Sequence, residues 1–487
     1  MISSIKKHWL YGAGILFLCI NLILTYNNFH YFNLLPIILL VVYAALFSLD
    51  KLFLFVVLCT PLSLNLEELD LGGMSTYLPT EPILFGIMLL FLYKQVFLNR
   101  KERDDRITSH PVTIAILFNL AWIFVSSITS DDPLTSFKFL ISRLWFVVPL
   151  YFFGIWFFRK GVKNINRFVW FYLAPLTIVL IITLIKHASL GFSEEAGHWI
   201  MWPFFKDHTS YGAIIAIFYP IVISMCFDKE RTQTTRSLLF VVLLIFTIAL
   251  FFSYTRAAWV SVFAAGLVYL LFVFKIKFKY LLGIGIVLGT FTIVNLTEIS
   301  FMLSKNKAEH TTENFSERLE SMSNVNTDAS NLERFNRWNC AFEMFKERPL
   351  TGWGPGNYAS LYARYQDPDD LTIISTNFGD GGNAHSEYLG PLAEQGIFGF
   401  LSIITLIIVV FYRTSILYVQ LEDKKLKRTV MMMMLGLVTY FTHGLLNNYL
   451  DTDKASVPVW CFIAIIVTID IYYKDSTTHI KKGSIKE

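Results

Sequence analysis

Residues 237–274 read S-L-L-F-V-V-L-L-I-F-T-I-A-L-F-F-S-Y-T-R-A-A-W-V-S-V-F-A-A-G-L-V-Y-L-L-F-V-F, and Arg256 is the only charged side chain among them. The apolar runs on either side of S-Y-T-R-A-A-W each approach the roughly 20 residues with which a helix crosses a bilayer. An arginine between two such runs is costly unless it lies near the interface or faces a polar cavity. The stretch therefore predicts a transmembrane helical hairpin with a charged turn.

The rest of the 487-residue chain repeats this pattern, since 54% of its residues are apolar and only 16% are charged. A soluble domain carries about 25% charged residues. The composition therefore predicts an all-α, polytopic helical membrane protein with about 12–14 transmembrane helices, and it excludes soluble nucleotide-binding folds and a secreted disulfide scaffold. The predicted spans are residues 9–26, 32–48, 51–64, 80–98, 111–129, 137–158, 165–186, 209–227, 236–253, 256–274, 280–296, 391–412, 430–447 and 456–473.

Lysine and arginine are unevenly distributed between the loops. Basic runs such as residues 159–167 and 424–428 fall on one side when the spans are counted alternately, whereas short loops opposite, such as residues 63–77, carry acidic residues but no lysine or arginine. Because basic loops stay in the cytoplasm, both termini are predicted to be cytoplasmic. The net charge of +4 is too small for a nucleic-acid-binding protein.

One connection, residues 297–385, is far longer than the others. It follows the eleventh predicted span on the outer side, and a loop of roughly 90 residues in a compact protein is usually functional. The predicted organisation is a region of about eleven transmembrane helices (1–296), this loop (297–385), C-terminal transmembrane helices (386–474) and a cytoplasmic tail (475–487).

The long loop contains one predicted amphipathic helix, residues 331–348. Its apolar residues Trp338, Phe342 and Phe345 recur every three to four positions and so lie on one face. The helix is followed by the glycine-rich segment P-L-T-G-W-G-P-G-N-Y, Pro349–Tyr358. Because the helix has an apolar stripe, this segment is expected to dock onto the membrane domain.

Three arginines of the outer side are candidates for binding an anion. Arg256 lies in the hairpin, although the short outer loops otherwise avoid basic residues; the alternative is an interfacial side chain that reaches lipid phosphates. Arg334 precedes Trp338 by four residues and shares its face, so it should point toward the membrane domain. Arg337 is rotated by about 60° from that face, which fits a solvent-exposed charge equally well.

A histidine stands where the long loop re-enters the membrane. His385 lies in G-D-G-G-N-A-H-S-E-Y-L, residues 379–389. A single histidine is usually structural, but a position between two arginine-bearing elements favours a functional role. Secondary candidates are His208, at the entry to the eighth span, and Arg143, in the sixth; their alternatives are a structural helix start and contact with lipid.

Three acidic groups on the outer side are candidate metal ligands. They are Glu68 with Asp70, the run Asp367–Asp370, and Asp451 with Asp453. No histidine or further carboxylate accompanies any of them at ligand spacing. The sequence therefore predicts neither a metal site nor a cofactor.

Taken in order, several of these motifs resemble the O-antigen ligase-related superfamily, which includes lipopolysaccharide O-antigen ligases, O-antigen and exopolysaccharide polymerases, and O-oligosaccharyltransferases. The similarity covers roughly residues 205–450. It rests on the Asp207–Thr209 entry to a span, S-Y-T-R-A-A-W, R-F-N-R-W followed by P-L-T-G-W-G-P-G-N-Y, and A-H-S-E-Y-L followed by E-Q-G-I-F-G-F. The resemblance implies a helical membrane fold like that of C-type glycosyltransferases.

The resemblance also implies a reaction at the periplasmic face of the bacterial inner membrane. The donor would be a glycan on undecaprenyl diphosphate, with Arg256 and Arg334 matching the family arginines that bind the diphosphate. His385 matches the essential histidine, the general base toward an acceptor hydroxyl of lipid A-core or of another glycan. Direct displacement would invert the anomeric centre without a metal. Relatives often have asparagine after this histidine, so Ser386-Glu387 is a departure and Glu387 is a further candidate for acceptor contacts.

Two other interpretations stay open from the sequence. An O-antigen or exopolysaccharide polymerase, or a protein O-glycosylating enzyme, uses the same chemistry with a different acceptor, and the fold cannot distinguish them. The alternative class is a transporter or flippase of lipid-linked glycans. Such proteins commonly have internal repeats and broken mid-membrane helices, whereas this sequence has no evident repeat and one large asymmetric loop.

Overall fold

The computed structural model describes residues 2–27, 32–33, 35–65, 76–97, 104–275, 283, 329–366 and 382–474. The predicted span at 280–296 apart from residue 283, the parts 297–328 and 367–381 of the predicted loop, and the tail at 475–487 lie outside these residues. The chain divides into two compact units, Met1–Phe55 and Val56–Glu487. All of the candidate site residues belong to the second unit.

Helices account for nearly all of the regular structure. One pair of two-residue strands, β1 (Leu64–Asn65) and β2 (Tyr77–Leu78), is antiparallel. The helices are α1 (Ile2–Tyr26), α2 (Leu35–Phe47), α3 (Leu49–Cys59), α4 (Thr80–Phe97), α5 (Asp105–Thr108), α6 (Pro111–Ile128), α7 (Pro133–Val147), α8 (Gly154–Phe158), α9 (Val162–Ser189), α10 (Glu194–Gly197), α11 (His208–Cys226), α12 (Gln233–Phe251), α13 (Arg256–Val273), α14 (Ala329–Glu347), α15 (Tyr358–Leu361), α16 (Leu389–Gln420), α17 (Lys424–His443) and α18 (Asp453–Thr468).

Within the described residues, nine helical segments are long and apolar enough to cross a membrane. This confirms the prediction of an all-α polytopic membrane protein. The predicted 12–14 spans exceed nine for identifiable reasons. The apolar helices Gly14–Tyr26 and Ile38–Phe47 are short, α17 starts with lysines, and only residue 283 of the predicted span 280–296 is described. The nine segments are Thr80–Phe97, Pro111–Ile128, Pro133–Phe158, Val162–Ser189, His208–Cys226, Gln233–Phe251, Arg256–Val273, Leu389–Gln420 and Asp453–Tyr473.

Helix α18 forms the centre of the second unit. All of its residues from Asp453 to Thr468 are buried, and it packs against α7, α8, α11 and α17. By contrast, α12 and α13 bury only a few residues each. A helix that is apolar around its whole circumference is buried on every side, whereas helices at the edge of a bundle present apolar side chains to lipid.

Helix α16 is broken near its beginning, where Gly396 has a φ of 67°. The glycine-rich segment Pro349–Tyr358 docks on this break through main-chain hydrogen bonds. Gly354 N–H donates to Glu394 O at 2.7 Å, and Ile397 N–H donates to Pro349 O at 2.8 Å. A Cβ at Gly352 would come within 2.4 Å of Gln395 N, so only glycine allows this approach.

The same segment is also fastened to the turn between α6 and α7. Ser136 Oγ donates to Pro355 O at 2.9 Å, Asn357 Nδ2 donates to Ser130 Oγ at 2.7 Å, and Asp131 N–H donates to Trp353 O at 3.1 Å. The expectation that the segment after the loop helix docks onto the membrane domain is therefore confirmed. It holds α14 at one end of the helix bundle.

Candidate active site

The hairpin between α12 and α13 is built so that Arg256 becomes the first residue of α13. Tyr254 has a left-handed φ of 52°. Thr255 Oγ1 then donates to His208 O at 2.7 Å, which brings the hairpin against the start of α11. Gly212 permits this approach, because a Cβ there would lie 2.8 Å from the Cβ of Thr255.

The start of α11 carries the next two groups. Asp207 caps the helix, accepting hydrogen bonds from Ser210 N–H and Thr209 Oγ1, each at 2.7 Å. His208 follows, and its Nδ1 lies 3.1 Å from Nδ1 of His198. The guanidinium groups of Arg256 and Arg334 are both close enough to act electrostatically on His208. The structure thus brings together two arginines that are distant in the sequence.

Arg334 is half-buried on α14. Burial lowers the pKa of its guanidinium, and the nearby Tyr449 and Asp207 oppose this shift. Tyr449 itself is held in place by a hydrogen bond with Thr209. A cation withdrawn from water in this way binds an anion more strongly than a solvated one does.

Arg337 is buried, with 7% of its surface exposed, so the solvent-exposed alternative is wrong. Its Nε donates to Glu333 Oε1 at 2.8 Å, and its Nη1 donates to Asn383 O at 3.1 Å. The guanidinium also lies over the ring of Tyr362 at 5.0 Å. Arg337 therefore connects the loop helix to the segment that carries His385.

His385 occupies a tight turn with a left-handed φ of 46°, and its backbone N–H donates to Asn383 Oδ1 at 3.0 Å. Burial lowers the pKa of its imidazole to about 4, and the positive charges of Arg337 and Arg334 act in the same direction. Asp207 and Glu333 oppose them. The ring is therefore neutral near pH 7 and can accept a proton.

Glu387 is buried and acts as an anchor. Its Oε1 accepts hydrogen bonds from Tyr440 OH at 2.5 Å and from the backbone N–H groups of Tyr449 and Leu450 at 2.8 and 2.9 Å. Burial and the nearby Asp451 raise its pKa. Because this oxygen already has three donors, Glu387 fixes the connection between α17 and α18 beside His385.

A cavity of about 600 Å³ lies beside His385. Arg143 lines it from α7 and is 8% exposed, with its Nη2 2.7 Å from Asp451 Oδ1. The described residues that line the cavity do not include Arg256, Arg334 or His208. The titratable residues among them are Arg143, Lys206, Asp207, Tyr77, Arg337, Tyr358, His385, Glu387, Glu394, Tyr449 and Asp451.

The acidic pairs do not converge where the structure describes them. Asp451 pairs with Arg143, whereas Asp453 is buried and accepts hydrogen bonds from Ser63 Oγ and Thr80 Oγ1, both at 2.5 Å. Glu68 with Asp70 and the run Asp367–Asp370 lie outside the described residues.

The sequence does not indicate a role for Tyr449 or Asn383, and it predicts for Glu333 only a cap of the loop helix together with Ser330. The spacing of Glu333 and Arg337, four residues apart on a helix, is a signal that would have predicted their ion pair. Tyr449 and Asn383 carry no such signal, because their partners lie in distant parts of the chain.

The region that carries the arginines and the histidine is also the region that a known family shares. A family model described as O-antigen ligase matches residues 239–404. The match begins in α12, includes Arg256, Arg334, Arg337 and His385, and ends in α16. It covers about a third of the chain and confirms the predicted resemblance to the O-antigen ligase-related superfamily. No curated protein matches the chain.

The family match and the apolar helices agree on the class of protein. Together they support a multi-pass membrane protein that is similar to O-antigen ligases over about a third of its length. His208 and Arg143 lie before the matched residues, so their places in the site rest on the geometry alone.

Proposed function

We propose that this protein transfers a glycan from undecaprenyl diphosphate to an acceptor hydroxyl, as an O-antigen ligase does when it joins a glycan to lipid A-core. The observation that carries the proposal is that Arg256 and Arg334 are both close enough to act on His208, and that Arg334 is also close enough to act on a neutral His385. Both arginines and His385 lie within the family match. The end of the bundle that carries them would face the periplasm of a bacterial inner membrane, with both termini in the cytoplasm, as the distribution of basic loops predicts.

Arg256 and Arg334 would bind the diphosphate of the donor. When the anomeric C–O bond breaks, its electron pair moves to the departing diphosphate, whose growing charge must be stabilised. A guanidinium forms two parallel charge-assisted hydrogen bonds with a phosphate, and Arg334 is already partly withdrawn from water. Two such groups can supply this stabilisation without a metal ion.

His385 would act as the general base. The acceptor oxygen attacks the anomeric carbon as the hydroxyl proton passes to the imidazole, so one C–O bond forms while the bond to the diphosphate breaks. A neutral imidazole is required for this step, and burial beside Arg337 keeps His385 neutral at physiological pH. Attack opposite the leaving group inverts the anomeric configuration.

One observation bears on the transporter alternative: helix α16 is broken at Gly396. Broken helices in transporters expose backbone groups that bind the substrate. Here the main chain on both sides of Gly396 is bonded to the glycine-rich segment, at Glu394 O and at Ile397 N–H. The break therefore serves to seat the long loop, which favours the enzyme.

The test is a reconstituted transfer reaction. Protein in nanodiscs is incubated with lipid-linked glycan extracted from the source strain, and with lipid A-core from the same strain as acceptor. We expect a glycan joined to lipid A-core with inverted configuration, unaffected by a chelator. Transfer only onto a second lipid-linked glycan would identify a polymerase. No transfer, with movement of the lipid-linked glycan across a vesicle bilayer, would contradict the proposal.

A further inference from the structure

Four buried side-chain atoms without a protein hydrogen-bond partner belong to residues that line the cavity beside His385. Two are donors, Arg143 Nε and Trp460 Nε1, and two are acceptors, Gln395 Oε1 and Asn448 Oδ1. Buried polar groups in proteins almost always have partners, supplied by protein, water or a ligand. Four such atoms around one cavity therefore indicate a place where polar groups from outside the chain are bound.

The chemistry of these atoms limits what the cavity receives. An anion requires donors alone, whereas this lining offers donors and acceptors in equal number among its unsatisfied atoms. Its charges are also mixed, since Arg143, Lys206 and Arg337 are accompanied by Asp207, Glu387, Glu394 and Asp451. A hydroxyl group both donates and accepts, so a neutral ligand rich in hydroxyl groups matches the lining.

The position of the cavity limits its role. His385 lines the cavity, whereas Arg334 is close enough to act on the imidazole of His385 but is not part of the lining. A nucleophilic hydroxyl in the cavity would therefore lie beside the base, within a lining that includes neither Arg256 nor Arg334.

We infer that this cavity is the subsite for the acceptor sugar, and that Arg143, Gln395, Asn448 and Trp460 bind its hydroxyl groups. The inference rests on the proposed glycosyl transfer and adds to it the class of ligand: a neutral, hydroxyl-rich sugar ring. The ion pair of Arg143 with Asp451, at 2.7 Å, presents a donor fork next to an acceptor carboxylate. Asp451 keeps 45% of its side chain exposed, which leaves it free to accept from the ligand.

The test measures the KM of acceptor and donor separately in the nanodisc reaction, with lipid A-core and extracted lipid-linked glycan as probes. Trp460→Phe removes one donor and keeps most of the ring, and Arg143→Lys keeps the charge but not the fork. We expect the acceptor KM to rise about fivefold and about tenfold respectively, as for loss of a neutral and a charged hydrogen bond, while the donor KM stays within about twofold.

Asn448→Ala and Asn447→Ala form a matched pair. Both asparagines precede Tyr449, but Asn448 lines the cavity and Asn447 does not. Only Asn448→Ala should raise the acceptor KM. Equal effects of both substitutions, or a rise in the donor KM alone, would overturn the inference. If the wild-type protein transfers no glycan, the proposed function fails; if it transfers glycan and the cavity variants keep a normal acceptor KM, only the inference fails.

Inorganic pyrophosphate supplies a second readout. It should compete with the donor, because it resembles the diphosphate, and it should not compete with the acceptor. Competition with the acceptor would mean that the cavity binds anions and would contradict the inference.

Discussion

The two ends of the unit Val56–Glu487 use charged residues in different ways. At the end opposite the site, acids are bound by basic partners from distant parts of the chain. Asp470 lies 3.1 Å from His110 Nε2 and 2.6 Å from Arg413 Nη2, and Glu230 lies 2.7 Å from Lys425. At the site end, charged groups surround a cavity whose lining contains unsatisfied donors and acceptors. The first arrangement fastens helices together, whereas the second leaves binding capacity for a ligand.

Left-handed backbone at residues other than glycine occurs at both ends, including Lys275 after α13 with a φ of 55°. His385 and Tyr254, both at the site end, have left-handed φ values of 46° and 52°. Such backbone is uncommon for residues other than glycine and persists only where the surrounding structure holds it. Here the holding contacts include His385 N–H to Asn383 Oδ1 and Tyr254 OH to Phe192 O at 2.6 Å. At the site end, the positions of His385 and Tyr254 are therefore maintained at some cost in backbone conformational energy.

The largest contrast between the ends should come from their histidines. His385→Asn keeps a residue type that tolerates a left-handed backbone but removes the base, so the transfer rate should fall by roughly 10²–10⁴. Binding of the lipid-linked donor, measured by retention on immobilised protein, should persist because the arginines remain. His110→Asn at the opposite end is the matched control and should keep normal transfer. A fully active His385→Asn variant would remove the histidine from the mechanism.

Arginine-to-lysine substitutions should have the second-largest difference in effect on glycan transfer between the two ends. Alanine at position 256 or 334 should lower kcat/KM by roughly 10²–10³. Arg256→Lys and Arg334→Lys replace the planar guanidinium with a point charge, so kcat/KM of the lysine variants should be nearly as low. Arg413→Lys should be tolerated, because Asp470 needs only a positive charge nearby. Recovery of transfer in Arg334→Lys to the wild-type rate would mean that the site, like the opposite end, uses charge alone.

The pH profile offers a finer test of the site end. The base must be deprotonated, so kcat/KM should rise with pH through the pKa of His385 in the free enzyme, about 4, and should be flat from about pH 6 upward. Arg337→Gln removes a charge that lowers this pKa, so the rising limb should move to higher pH. A bound diphosphate should also raise the pKa, placing the limb of kcat above that of kcat/KM. If the rising limb of the pH profile does not move in Arg337→Gln, Arg337 does not lower the pKa of His385 and this account is contradicted.

The smallest effect on activity is expected from the acids of the opposite end. Asp470→Asn removes the charge that His110 and Arg413 share, and it should lower the free energy of unfolding by about 1–3 kcal/mol, as for hydrogen bonds to a buried charged group. Thermal unfolding in detergent measures this change, and transfer by the folded protein should be normal. Glu230→Gln affects an exposed pair and should leave the melting temperature nearly unchanged. Equal shifts in the melting temperature of the two variants would contradict the role of the Asp470 ion pairs in holding the helices together.

The sequence was sufficient to predict the helical membrane fold, the hairpin arginine and the docking of the glycine-rich segment, because each depends on local pattern. Apolar runs report their own burial. The predicted stripe of Trp338, Phe342 and Phe345 is only half-buried, however, and the face of the loop helix that packs into the core is formed by Cys340, Ala341 and Met344. The cavity could not be predicted in this way. Arg143 and Asp451 are 308 residues apart, and nothing in either neighbourhood indicates the other.

Arg337 shows a different limit. From its position on the helix, Arg337 could equally be exposed to solvent or buried against protein. Which of the two occurs depends on whether residues 382–385 pass over the face of the helix that carries Arg337. Loop helices offer only weak periodicity for such decisions, because a short amphipathic helix next to a membrane domain can be covered on two sides. The burial of Arg337 therefore follows from the path of the distant chain.

The docking of Pro349–Tyr358 on the break in α16 also determines which way each side chain of the loop helix α14 points. The main-chain hydrogen bonds at Glu394 and Ile397 fix where α14 ends, and each residue of an α-helix advances it by about 1.5 Å and 100°. Inserting one alanine between Arg334 and Pro349 would therefore turn Arg334 away from Asp207 and Tyr449 without altering any side chain of the site. The number of residues between arginine and proline is as much a part of the binding arrangement as the arginine itself.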